Sequence, residues 1–188
     1  MHTAVHERFV AAMAAAIRDE VVGPGLDPAS TVGPLIHEGQ RERVHDIVSR
    51  SLAAGAVPVV GGHPLPGPGF FYAPTLLRDV PADAPIMREE VFGPVTPVQS
   101  FATTEEALAL ANATEYGLAA FVWTRDHRTA MRVSEQLEFG LVGVNDWYPV
   151  TAEAPFGGFK QSGLGRESGS EGVHEYVEVK TRYFGGLE

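Results

Sequence analysis

Ala154-Pro155-Phe156-Gly157-Gly158-Phe159-Lys160-Gln161-Ser162-Gly163-Leu164-Gly165-Arg166-Glu167 is the most informative stretch of this chain. Four glycines stand here around one lysine, one arginine and one glutamate. Glycine admits positive φ and close backbone approach at an entropic cost. A loop this rich in it marks a backbone shaped for a site rather than a spacer. Ser168 to His174 continue the same segment.

Working outward, Leu141 to Val144 reads as a buried strand and Leu118 to Trp123 as a continuous apolar one. Between them Asp126 to Leu137 is helical, with Ala130, Met131, Val133 and Leu137 inward. Thr103 and Glu106 form a capping box for a helix through about Asn112. Val95 to Phe101, Phe70 to Leu77 and Ala56 to Val60 are further strands. A helix runs from about Glu38 to Ala54, with Val44, Ile47, Val48, Ser51 and Leu52 on one face. The first helix carries Val5, Phe9, Met13 and Ile17 every four residues, widened by Ala12 and Ala16, and breaks at Val22-Gly23-Pro24. Buried strands alternating with helices predict an α/β fold with a mostly parallel sheet flanked by helices. Tyr176 to Tyr183 alternates apolar and polar residues, as a half-exposed strand does. With no partner after it, such an edge is expected to pair with another chain. The expected division is residues 1–175 as one domain and residues 176–188 as a terminal strand and tail.

The 188 residues suffice for one domain burying about 70% of its unfolded surface. Net charge is −10, with no basic run, which argues against nucleic acid. No apolar run approaches the ~20 residues that span a bilayer, so no membrane partner and a cytoplasmic location are expected. Cysteine is absent, which excludes disulfides and thiolate metal sites. His6-Glu7, His37-Glu38 and His174-Glu175 each lack the second histidine of a zincin helix. His2 and His6 share a helical spacing but have no third ligand nearby. Gly163-Leu164-Gly165 is followed by Ser168 where a dinucleotide fingerprint needs glycine, and neither a Walker A loop nor G-x-S-x-G occurs.

Glu90 and Phe92 stand two apart before Gly93-Pro94. In an extended segment both side chains would point to one side. A carboxylate can accept from two adjacent ribose hydroxyls, and an aromatic ring offers a flat wall for a nicotinamide. The same residues also suit a solvated glutamate and a core phenylalanine.

Glu90-Val91-Phe92-Gly93-Pro94, Gly140 to Asn145, and Pro155-Phe156-Gly157-Gly158 with Lys160, Ser162, Gly163 and Gly165-Arg166-Glu167 together resemble the catalytic domain of NAD(P)-dependent aldehyde dehydrogenases. The motifs occur in family order, and the likeness covers essentially the whole chain. Lys160 to Glu167 and the ending Glu178-Val179-Lys180 to Gly185-Gly186-Leu187 resemble the succinate-semialdehyde dehydrogenase-like branch.

The resemblance implies that Glu90 holds the nicotinamide ribose of NAD or NADP and that Phe92 contacts the nicotinamide. Asn145, Trp147, Val150 and Phe156 then fall on the substrate side, with Phe156 lining the aldehyde tunnel. Val150 stands where the branch carries a carboxylate-binding serine, and Trp147 and Tyr148 make the mouth more aromatic. Both a semialdehyde and an apolar or aromatic aldehyde therefore remain open. Lys160 and Arg166 either brace the glycine loop or touch substrate.

The family's cysteine nucleophile, base glutamate and oxyanion amide, with most of its cofactor domain, come before these motifs in family order. No catalytic residue is therefore assigned here. The chain alone is expected neither to oxidise aldehydes nor to bind the cofactor measurably, since two polar contacts do not offset association entropy. Expected partners are a second copy through the terminal strand, or a full-length or N-terminal dehydrogenase chain. A freestanding interaction or regulatory module is the alternative.

Overall fold

Thr75-Leu76-Leu77-Arg78 organises the first half of the chain because successive side chains of a strand face opposite ways. The structure, a computed structural model, describes residues 1–147 and 150–186. The chain divides into two units, Met1–Ala107 and Leu108–Glu188. In the first, α1 (Thr3–Arg18) and α2 (Glu38–Ala53) precede β1 (Val57–Val60), β2 (Thr75–Arg78), a 3₁₀ turn (Pro85–Met87) and β3 (Val95–Pro97). Leu76 turns to Val10 and Ala14 of α1 and to Val98. Leu77 turns to Ile47 of α2, with Val80, Ala84 and Ile86. The sheet is thus packed between two helices, and Leu76 and Leu77 are fully buried.

The sheet order is β1-β2-β3, with β1 antiparallel and β3 parallel to β2. His2 caps α1 by accepting the Ala4 N–H, and His37 caps α2 by accepting that of Gln40. Ser51 is fully buried on α2: its hydroxyl donates to the Ile47 carbonyl at 2.8 Å and accepts the Ile86 N–H at 3.0 Å. Burial pushes the Tyr72 phenol up to about 12.

Helix α3 (Thr104–Asn112) runs across the boundary between the two units. Its expected capping bonds are present: Thr103 accepts the Glu106 N–H, and Glu106 accepts that of Ala102. The second unit then holds β4 (Tyr116–Gly117), β5 (Ala119–Val122), α4 (His127–Gln136), β6 (Leu141–Val144), β7 (Phe159–Lys160) and α5 (Gly169–His174). β5 and β6 are parallel, while β4 and β7 pair antiparallel. Leu108, Val133 and Leu137 form the core beneath them.

The α/β class is as expected, but the described strands form a mixed three-stranded sheet, an antiparallel pair and a parallel pair rather than one mostly parallel sheet. The strand expected over Phe70–Leu77 shrinks to Thr75–Arg78, because Phe70 to Ala73 serve a loop in which Tyr72 bridges Pro64. On α1 the buried line is His6, Val10 and Ala14; Val5, Ala12 and Ala16 are exposed. An alanine-rich helix is apolar on more than one side, so periodicity left its rotation open. The alternating segment from Tyr176 to Tyr183 is not a strand in this chain. A ladder needs a neighbour, and Tyr176, Val179 and Tyr183 stand 90%, 97% and 93% exposed. Leu187 and Tyr148 lie outside the described residues.

Candidate functional site

Helix α2 carries two stripes at helical spacing. Val44, Ile47, Val48 and Ser51 face the core, while Gln40, Arg43 and Arg50 reach over the segment from Glu89 to Phe92. The Arg50 guanidinium meets the Glu89 carboxylate at 2.8 Å and also takes Asp46 at 2.8 Å. Arg50 holds the Glu89 carboxyl below its ordinary range, and the two carboxylates raise Arg50 in turn. One step along, Arg43 donates to the Glu90 carbonyl at 2.6 Å. Gln40 then donates through its amide nitrogen to the carbonyls of Val91 at 2.9 Å and Phe92 at 3.1 Å. Gly93 closes the run against Val44, whose methyl would lie 2.7 Å from any Cβ there.

Pinned in this way, Phe92 adopts φ 45° and stands 74% exposed. Left-handed backbone disfavours a bulky side chain, and such positions gather at functional sites. The segment is therefore not the extended strand entry expected for Glu90 and Phe92; β3 begins only at Val95. The two side chains nonetheless line one cavity of about 510 Å³, with Pro34, Leu35, Ile36, Gln40 and Arg43. That volume lies within the usual range for small-molecule sites. Glu90 is exposed, and its carboxylate takes no hydrogen bond among the described residues. A free acceptor-only carboxylate beside an exposed flat ring fits a ribose diol joined to an aromatic base. The residues present thus suit NAD(P).

In the second unit, Phe156 bonds Glu167 in both directions at 2.7 Å, which folds the glycine-rich loop back on itself. Arg166 braces the turn by donating to the carbonyls of Gly158 at 3.1 Å and Gly165 at 2.6 Å, with its guanidinium over the Phe159 ring. Lys160 donates to the carbonyls of Asn112 and Thr114 and pairs with Glu138 at 2.6 Å. Both cations are engaged in scaffolding. At Gly140 an added Cβ would clash with the Gly157 carbonyl oxygen, so only glycine admits this close backbone approach without a shift.

Asn145 sits at φ 55°, and its side chain accepts from the Thr124 N–H and donates to the Thr124 carbonyl, both at 2.9 Å. The amide thus fixes the end of β6 to β5. Trp147 and Val150 are exposed on the loop that follows. Phe156 lines a cavity with Leu118, Gly165, Arg166, Glu175 and Tyr176, while Asn145 borders another with Thr124, Arg125 and Met131. His2 and His6 form no metal site: one caps its helix, and the other is buried beside Glu7 and Asp79. No cluster of three ligating side chains and no membrane-crossing helix occurs among the described residues. Sequence reasoning missed Gln40, Arg43 and Arg50; the helical spacing of 40, 43 and 50 on a face beside the core stripe was the available signal.

Similar folds define the class. An aldehyde dehydrogenase from Bacillus cereus, solved as its NAD+ complex, superposes with a TM-score of 0.92 at 40% identity, over 95% of this chain and 36% of that one. The chain belongs to the aldehyde dehydrogenase family, whose profile matches residues 1–182. It is 53% identical over 181 residues to a succinate-semialdehyde dehydrogenase of Paenarthrobacter nicotinovorans, and 41% identical over 184 residues to a 3-sulfolactaldehyde dehydrogenase of Pseudomonas putida. These alignments cover 96% and 98% of this chain but only 40% and 38% of the relatives, so the chain spans well under half their length.

Proposed function

We propose that this chain supplies the nicotinamide-side wall of an NAD(P)-dependent aldehyde dehydrogenase that converts an aldehyde to a carboxylic acid. The observation that carries the reading is the pinned segment, with the free Glu90 carboxylate and the left-handed, exposed Phe92 in one cavity. Glu90 would accept from the ribose hydroxyls, and Phe92 would lie against the base. NAD(P)+, when bound, supplies the hydride acceptor. Trp147, Val150 and Phe156 would border the aldehyde, while Asn145 acts by fixing the loop that carries Trp147. Residues 1–175 would form one catalytic-type domain and 176–188 an oligomerisation strand and tail.

Both named relatives act on aldehydes bearing a remote anionic group, which favours a semialdehyde-like substrate here. The chain has no cysteine, so the attacking thiolate of the family's chemistry would come from other sequence. The 188 residues alone would then be inactive and would bind NAD(P)+ no more tightly than millimolar. Submillimolar binding by calorimetry would contradict this. The exposed alternating segment 176–183 supports pairing with a second copy or with a full-length or N-terminal dehydrogenase chain.

The test joins residues 1–188 behind the remaining N-terminal portion of the Paenarthrobacter enzyme and follows NAD(P)H formation with succinic semialdehyde and with benzaldehyde. Glu90→Gln and Phe92→Ala should each raise the cofactor KM about tenfold, the loss of one charge-assisted bond or one ring contact. Wild-type cofactor KM in both variants would refute the assignment.

A further inference from the structure

Three carbonyl groups in succession, those of Glu90, Val91 and Phe92, are held by two side chains of α2, Arg43 and Gln40. Among the described residues these carbonyls accept from side chains rather than from a ladder, so backbone hydrogen bonds do not fix this segment, although the Val91 side chain packs on the core. Phe92 also sits in a backbone basin that an L side chain with a large ring disfavours. Something outside the segment must hold it there. The Gln40 amide is the group bonded to the carbonyls on both sides of the Phe92 nitrogen and α-carbon. Gln40 is itself fixed at its own backbone, since its N–H is accepted by the capping His37 imidazole at 3.0 Å.

We propose that Gln40 is the positioning residue of the site, holding Phe92 left-handed so that its ring shares a cavity with the Glu90 carboxylate. Arg43 anchors the Glu90 end of the same clamp. The inference rests on the cofactor reading only for its consequence in catalysis; the conformational claim concerns this chain alone.

The experiment uses the isotope-labelled 188-residue chain. A left-handed residue gives a strong intraresidue NOE between its amide and α protons, together with characteristic carbon shifts. In Gln40→Leu the left-handed population of Phe92 should fall about tenfold or more, as expected for the loss of two hydrogen bonds. Gln40→Lys, which retains a donor, should keep the signal. If Gln40→Leu does not fold, Gln40→Glu, similar in shape but without the amide donor, gives the same reading. A Phe92 that stays left-handed in the donor-free variant overturns the proposal. So does a variant whose thermal midpoint falls while the Phe92 signature is unmoved, because that describes a purely structural glutamine.

In the hybrid enzyme, Gln40→Leu should raise the cofactor KM about tenfold and leave the aldehyde KM in place. An unchanged cofactor KM, with Glu90→Gln active in raising it, overturns the positioning role in catalysis. If Glu90→Gln itself has no effect, the cofactor reading fails, while the loss of the Phe92 signal still supports the clamp.

Discussion

Replacing Gly140 with alanine gives a prediction whose sign, not only its size, separates two accounts of that glycine. Gly140 does not sit at positive φ. If its role were conformational freedom alone, alanine would stabilise the fold by about 0.4–1 kcal/mol, through the unfolded chain. The structure says otherwise. The new Cβ would clash with the Gly157 carbonyl oxygen, far inside the 3.4 Å at which ordinary contact begins. Neither side can yield easily: the Gly140 N–H is bonded to the Gly117 carbonyl at 3.0 Å, and the Gly117 N–H to the Ser162 hydroxyl at 3.0 Å. Moving Gly157 and Gly158 far enough breaks the Arg166 contact to the Gly158 carbonyl and weakens the Ser162 bond. Two such bonds at about 1 kcal/mol each, with residual crowding, put the cost at about 2–4 kcal/mol. For a chain of this length that lowers the thermal midpoint by roughly 5–15 °C. Thermal unfolding followed by circular dichroism reads the shift, and amide exchange at Gly157 to Gly165 should quicken with it. A midpoint equal to or above wild type would refute the close-approach argument.

Ser51→Ala should lower stability by about 1–3 kcal/mol, because the buried Ile86 N–H loses its acceptor; urea unfolding measures it, and an unchanged midpoint refutes the bond. The Asp126 carboxyl lies below its ordinary 3.8 because the hydroxyl and N–H of Thr129 stabilise its charged form. Its folded value is depressed, so its contribution is fully present above that ordinary value and is lost as pH falls below it. Asp126→Asn should accordingly flatten the acid limb of a stability-versus-pH curve below about pH 4, and an unaltered limb would count against the cap. Phe92→Gly relieves the left-handed strain while giving up little buried surface, so the midpoint should hold or rise by about 2–4 °C. A clear fall would show that the ring stabilises the fold.

Much of this architecture was legible in sequence because long apolar periodicities report burial directly. Val44, Ile47, Val48 and Ser51 on α2 are an example, and so is the capping box at Thr103 and Glu106. What escaped was anything set by a partner distant in sequence. The rotation of α1 depends on which side meets Leu76, and alanines on several faces leave that undecided. The break at Phe70 to Ala73 depends on Tyr72 leaving the strand to bridge Pro64. For the candidate site, Glu90 and Phe92 stand out in sequence and line one cavity, but the left-handed Phe92 departs from the extended geometry expected to unite them. Strand alternation does not unite them; side chains roughly fifty positions earlier hold the carbonyls. Helical spacing marks the stripe on α2, but no local pattern tells which segment it holds. The terminal alternation from Tyr176 to Tyr183 shows the converse case, an alternating pattern that forms no strand among the described residues.

The double use of α2 has a consequence for how this protein can change in length. Its core residues and its loop-holding residues are interleaved on one rigid rod, so their angular relation is set by residue count. Adding or deleting a single residue between Gln40 and Arg50 would swing the residues after the change against those before it by about 100°, one residue's share of a helical turn. Both the core face and the Glu89–Phe92 clasp would then be split, and no single side-chain substitution could restore both. The turn from Pro66 to Pro68, beyond the Pro64–Tyr72 bridge, sets no such register and can gain residues at little thermodynamic penalty. Length variation among homologous chains should therefore be silent along this helix and frequent in that loop, as though the helix were a gauge block cut to a single size.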